Sequence, residues 1–202
     1  MSEAVTPTSP PLSPRETLTV ARILKVNHAG EHGAIRIYGG QIAVARLLYP
    51  EVMATLAELR EHEIAHRTAF ASAMPSRKAR PCRMMFLWAA GGNILGVATA
   101  MLGRQAIWIT TAAVEAAVHR HLDDQLHFLN ARDPVLYRII ADIREEELAH
   151  LRLAKVNIER ETAATRLLSS VISWTTDALI WLSTWGDSSR MARDLSASKI
   201  AR

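Results

Sequence analysis

An all-α fold is what this sequence predicts: a four-helix bundle built from two duplicated helical hairpins, followed by an additional C-terminal amphipathic helix. Three observations predict it. Glu31 followed by Glu63-x-x-His66 returns as Glu115 followed by Glu147-x-x-His150, and positions 31 and 115, 63 and 147, and 66 and 150 are each 84 apart. Apolar residues make up 49% of the chain but aromatic residues only 5%, which favours Ala-, Leu- and Ile-rich helices over sheet. Prolines 50, 75 and 134 break long apolar-periodic runs where helices should end or begin.

The first helix is expected from Leu18 to Leu48, stopping before Pro50, and the second from Glu51 to Ala73, stopping at Met74-Pro75. A basic loop, Ser76 to Arg83, carries Arg77, Lys78, Arg80 and Arg83 between the two halves. A third helix should run from Met84 to Asn130, loosened at Gly91-Gly92, and a fourth from Pro134 to about Ala163. The fifth, Arg166 to Trp185, sets Trp174, Trp181 and Trp185 on one face with Leu167, Val171 and Ala178, with Ser169, Ser170, Ser173 and Asp177 largely away from it. Tryptophan on such a stripe suits a membrane interface or packing against the bundle or another subunit, and the adjoining basic loop favours the membrane. Met84 to Gly103 holds no charge, yet it leads without a break into the segment bearing Glu115. Burial against the bundle and the bilayer surface is therefore expected rather than spanning.

The repeat carries the chemistry. Around the motifs, Arg60-Glu61-His62-Glu63-Ile64-Ala65-His66 matches Arg144-Glu145-Glu146-Glu147-Leu148-Ala149-His150, and Arg36, Gln41 and Pro50 match Arg120, Gln125 and Pro134. A period of this length exceeds the roughly 20–50 residues of solenoid repeats and suits a duplicated hairpin. Residues i and i+3 share a helix face, so Glu63 and His66 can reach one ion, as can Glu147 and His150, while Glu31 and Glu115 close the spheres from other helices. Four carboxylates inside a bundle are tolerable only when compensated, and two divalent ions balance them. Carboxylate and imidazole donors without thiolate suit iron or manganese.

Length, charge and cysteine count narrow the setting. The 202 residues suffice for one sizeable core; residues 1–16 read as a disordered Pro/Ser/Thr-rich tail, 17–187 as one domain and 188–202 as a polar tail. The first 16 residues resemble neither a signal nor a transit peptide. The single cysteine, Cys82, leaves no internal disulfide and fits a reducing compartment. The net charge of +4 fits an anionic membrane surface better than nucleic acid, given the apolar helices.

The block Val26-Asn27-His28-Ala29-Gly30-Glu31-His32-Gly33-Ala34, followed by Ile37-Tyr38-Gly39-Gly40-Gln41, resembles the first-helix signature of the demethoxyubiquinone hydroxylases. These are ferritin-like di-iron monooxygenases of ubiquinone biosynthesis, and the resemblance extends from Leu18 to Leu182 through Ala113-Val114-Glu115 and both Glu-x-x-His motifs. It implies that Glu31, Glu63, His66, Glu115, Glu147 and His150 are the catalytic metal ligands, with Glu63 and Glu147 bridging and Glu31 and Glu115 terminal. It further implies two iron ions, O2, hydroxylation of an isoprenoid benzoquinol ring, and an external reductant, NADH or the quinol itself. The expected setting is peripheral, on the cytoplasmic face of a bacterial inner membrane. A lipid-binding accessory protein or other ubiquinone-biosynthesis proteins, and further copies of the chain, are candidate partners; nucleic acid is not.

The chain departs from the family at His32, commonly Tyr or Phe, and at Leu122, which follows His121 where a Tyr is frequent. Leu122 is also the repeat counterpart of Tyr38, so only the first half keeps a phenol on that face. His28 and His119 read as hydrogen-bonding neighbours of the cluster or partly exposed residues rather than as further ligands. Competing readings are an iron storage or oxidase protein of ferritin type, a manganese catalase, and an RNA-modifying di-iron hydroxylase using the basic loop. A metal-free helical module ranks last, because it leaves the inward carboxylates uncompensated.

Overall fold

The computed structural model describes residues 11–200, apart from the side chains of Ser183, Lys199 and Ile200; the N-terminal tail expected over residues 1–16 lies outside it up to residue 10. Among the described residues there are seven α-helices and no strand: α1 (Pro14–Leu48), α2 (Met53–Ala73), α3 (Met85–Met101), α4 (Arg104–Leu129), α5 (Pro134–Val156), α6 (Ala163–Ser183) and α7 (Asp187–Ile200). Short 3-10 turns at Pro50–Val52 and Pro75–Arg77 lead into α2 and close it, as the prolines require.

α1 begins earlier than expected because Ser13 caps it. The Ser13 side chain accepts from the Glu16 amide while Glu16 reaches back to the Ser13 amide, and Pro14 occupies the first turn. Glu16 also accepts from Arg132 Nε at 2.6 Å. The Arg132 guanidinium, helped by the Ser13 contacts, holds the Glu16 carboxyl down to about 2 from an ordinary 4.5. A depressed folded value means that this stabilisation is complete above about pH 4.5 and is lost as pH falls towards 2. Glu16→Ala should cost about 1 kcal/mol at neutral pH, read from urea midpoints. The difference from wild type should shrink on acidification.

α1 packs along α2, and α4 along α5. α3 lies on α1 and α6 on α4, with Trp88 of α3 and Ile172 of α6 both buried.

The expected third helix is in fact two. Gly103, at φ 115°, turns the chain between α3 and α4, a conformation disfavoured for any side chain. Gly91-Gly92 does not loosen α3. Instead the glycines of α3 let its backbone lie directly on α1: a Cβ on Gly92 would sit 2.6 Å from the Gly33 carbonyl oxygen, and one on Gly96 would run into that of Ile37. None of the described helices is long and apolar enough to cross a membrane.

Two further expectations are corrected at the C-terminus. α6 ends at Ser183, and Trp185 and Gly186 follow it with φ of 52° and 73°, so Trp185 lies in a turn rather than on the helix. The stretch expected as a polar tail over residues 188–202 is helical as far as it is described, forming α7. Its Met191 and Leu195 are buried, and Asp187 and Asp194 pair with Arg22, Lys25 and Arg15 of α1. The four-residue spacing of Met191 and Leu195 was the available signal. In the basic loop, Arg77 is bound bidentately by Asp133, at 2.6 and 2.8 Å, which joins the loop to the start of α5.

Candidate metal centre

All six residues of the repeated pattern meet in the interior. Glu31 comes from α1, Glu63 and His66 from α2, Glu115 from α4, and Glu147 and His150 from α5; none is more than 5% exposed. They form two groups whose donor atoms lie within 4.8 Å of one another: Glu31, Glu63, His66 and Glu147, and Glu63, Glu115, Glu147 and His150. Glu63 and Glu147 belong to both. Both imidazoles turn Nδ1 inwards. His66 Nδ1 lies 3.1 Å from Glu147 Oε1, and His150 Nδ1 lies 3.2 Å from Glu147 Oε2 and 3.5 Å from Glu63 Oε1.

The electrostatics are those of a crowded anionic site. Burial, reinforced by the Glu63 charge, pushes the Glu31 carboxyl well above the ordinary range; burial and the charges of Glu147 and Glu63 do the same to Glu115. Burial would also raise Glu147, but hydrogen bonds from His150 and His66 overcome it and hold that carboxyl low. Burial opposes the charge on His150, yet its hydrogen bond to Glu147 and the nearby Glu63 carboxylate carry it up to about 9. Glu63 Oε1 has no hydrogen-bond partner among the described residues. A buried oxygen left without a donor is costly, and a cation would satisfy it. Two divalent ions balance four carboxylates, and this donor set fits them.

The immediate surroundings were only partly foreseen. Tyr38 OH donates to Glu115 Oε1 at 3.0 Å, so a phenol on α1 serves the carboxylate on α4. The outward Nε2 of His66 meets Glu146 Oε2 at 3.0 Å, and that of His150 meets His62 Nδ1 at 2.9 Å. His62 and Glu146 each directly precede the Glu of the opposite motif, a position that the repeat aligns but that no ligand spacing singles out. His28 and His119 join neither metal-capable group. His32, beside Glu31, meets Arg67 Nη1 at 3.1 Å.

An apolar cavity of about 170 Å³ lies between α1, α3, α4 and α6 and has Glu31 and Glu115 in its wall. Trp88, Leu95, Val118, Leu122, Leu179 and Ile180 supply apolar lining, and half-buried His121 is a polar exception. Outside this wall, α3 exposes Phe86, Ile94 and Met101, while Trp174, Trp181 and Trp185, at 72%, 57% and 75% exposure, stand out from α6 and the turn beyond it. The tryptophan stripe therefore faces away from the bundle.

This arrangement has known relatives. A 3-demethoxyubiquinol 3-hydroxylase of Rhodospirillum rubrum is 35% identical over 173 residues, covering 86% of this chain and 81% of that one. The mouse NADPH-dependent 3-demethoxyubiquinone 3-hydroxylase is 35% identical over 168 residues, 81% and 76% of the two chains. The yeast 5-demethoxyubiquinone hydroxylase is 31% identical over 158 residues, 71% and 68% of the two. The profile of the family described as "Ubiquinone biosynthesis protein COQ7" matches residues 18–183, which takes in all six buried donors, most of α1 and all of α2 to α6, and the chain belongs to that family.

Proposed function

We propose that this chain is a di-iron monooxygenase that hydroxylates the benzoquinol ring of a demethoxyubiquinone, in a ferritin-like bundle. Glu31, Glu63, His66, Glu115, Glu147 and His150 would hold two iron ions, Glu63 and Glu147 being the carboxylates common to both donor groups. When bound, the ion pair supplies O2 activation: one oxygen atom enters the ring, the other leaves as water, and two electrons come from an external reductant. Several relatives are named as NADPH-dependent. Manganese accepts the same donors, so the choice of iron rests on the family rather than on the ligand set.

The observation that carries the reading is the apolar cavity whose wall contains Glu31 and Glu115. A ring with an isoprenoid tail needs an apolar space beside the reacting centre, and these walls supply one. Tyr38 fixes the orientation of Glu115 by donating to it. The exposed apolar faces of α3 and α6 flank the cavity, which supports peripheral binding to the cytoplasmic face of an inner membrane and entry of the quinol from the lipid. An accessory lipid-binding protein, or a second copy of the chain, would dock on the same faces.

The test is the lipid-quinone profile of a host lacking its own hydroxylase, by mass spectrometry, with and without this chain. The demethoxy intermediate should disappear and ubiquinone return. Persistence of the intermediate beside a folded protein carrying two irons would leave the metal centre standing and remove the quinol assignment.

A further inference from the structure

The metal centre is nearly two-fold symmetric in its ligands but not in the residues that touch them. Glu146 holds the outer nitrogen of His66 at 3.0 Å, whereas its repeat counterpart His62 holds that of His150 at 2.9 Å. Tyr38 donates to Glu115 at 3.0 Å, whereas its counterpart is Leu122, which has no hydroxyl to offer Glu31. We propose that these two pairs make the metal positions unequal, with the Glu31–His66 position the tighter one and the first to fill. The inference rests on the metal-centre reading above and goes beyond it.

Every one of these contacts pushes in the same direction. With Nδ1 directed at the ion, Nε2 carries the proton. Donating that proton to a carboxylate transfers electron density into the ring and strengthens it as a ligand; a neutral imidazole acceptor does so less. The Glu146 charge, although its side chain is 53% exposed, also favours a cation on its own side. On the opposite side the Tyr38 hydroxyl withdraws density from Glu115 and makes it the poorer donor, while Glu31 has no phenol drawing on it. Outer partners of metal-bound histidines typically change affinity by roughly 10–100-fold, so the two constants should differ by at least about tenfold. Glu146 and His62 act here as positioning residues, working through His66 and His150.

Mn2+ titrated into chelator-stripped full-length protein, with free Mn2+ read by electron paramagnetic resonance, resolves the two steps. Wild type should bind two ions with separated constants, and Glu31→Gln should remove the tight step where Glu115→Gln removes the weak one. Glu146→Gln should weaken the first constant by about tenfold or more. His62→Glu, which copies the counterpart residue, should tighten the second, a gain that a damaged fold would not produce. Two equal constants in wild type, or a tight step that survives in Glu31→Gln, would overturn the inference and leave the metal centre intact. No uptake of Mn2+ or Fe2+ at all would overturn the metal reading itself.

Discussion

Glu63→Gln, or Glu147→Gln, should lose both ions and all hydroxylation, while Glu31→Gln should keep close to one ion per chain. The difference follows from the geometry: Glu63 and Glu147 belong to both donor groups, and Glu31 to only one. Glutamine keeps the shape of the side chain but offers a neutral donor, so one of four compensating charges disappears along with a donor common to both ions. In metal-free protein Glu31→Gln should act oppositely. Burial and the Glu63 charge push that carboxyl well above the ordinary range, so keeping it at neutral pH costs stability that a neutral glutamine does not, and the urea midpoint should rise. Metal content by mass spectrometry and unfolding midpoints with and without Fe2+ check both halves. A Glu63→Gln protein that retains two ions per chain and hydroxylates normally would remove this residue from the ligand set.

The meeting of six donors was legible because the ligand pattern is written twice at fixed spacing, and an i, i+3 pair on a helix leaves little freedom in where its side chains point. The breaks at Pro50 and Pro75 and the helical face shared by Trp174 and Trp181 were legible for similar local reasons. What escaped the sequence depends on contacts between elements. Tyr38 can be placed on the correct face from its number, but its partner, Glu115, lies on a helix 77 positions away. His62 and Glu146 read as ordinary surface residues until the opposite motif is folded against them. α7 was missed because only Met191 and Leu195 mark its buried side, and its charges look solvated until α1 supplies their counterparts. The glycines of α3 were misread for the same reason: alone they signal weakness, and against α1 they permit contact.

That reversal sets the largest stability effect to expect away from the metal. Gly96→Ala should destabilise the protein by at least about 3 kcal/mol, because the new methyl would collide with the main-chain carbonyl of Ile37, and a backbone atom in mid-helix cannot swing aside as a side chain can. α3 would have to lift from α1, loosening Trp88 and Leu95, which line the cavity beside Glu31. Gly30→Ala supplies the contrast. It is also a helical glycine, but an added Cβ there meets nothing within 4 Å, so relief of glycine's entropic cost should stabilise by roughly 0.5–1 kcal/mol. Urea midpoints of the two variants decide whether close backbone contact, rather than flexibility, is what α3's glycines provide. If Gly96→Ala proves as benign as Gly30→Ala, α3 does not rest on α1 as described, and the cavity wall it forms beside Glu31 goes with it.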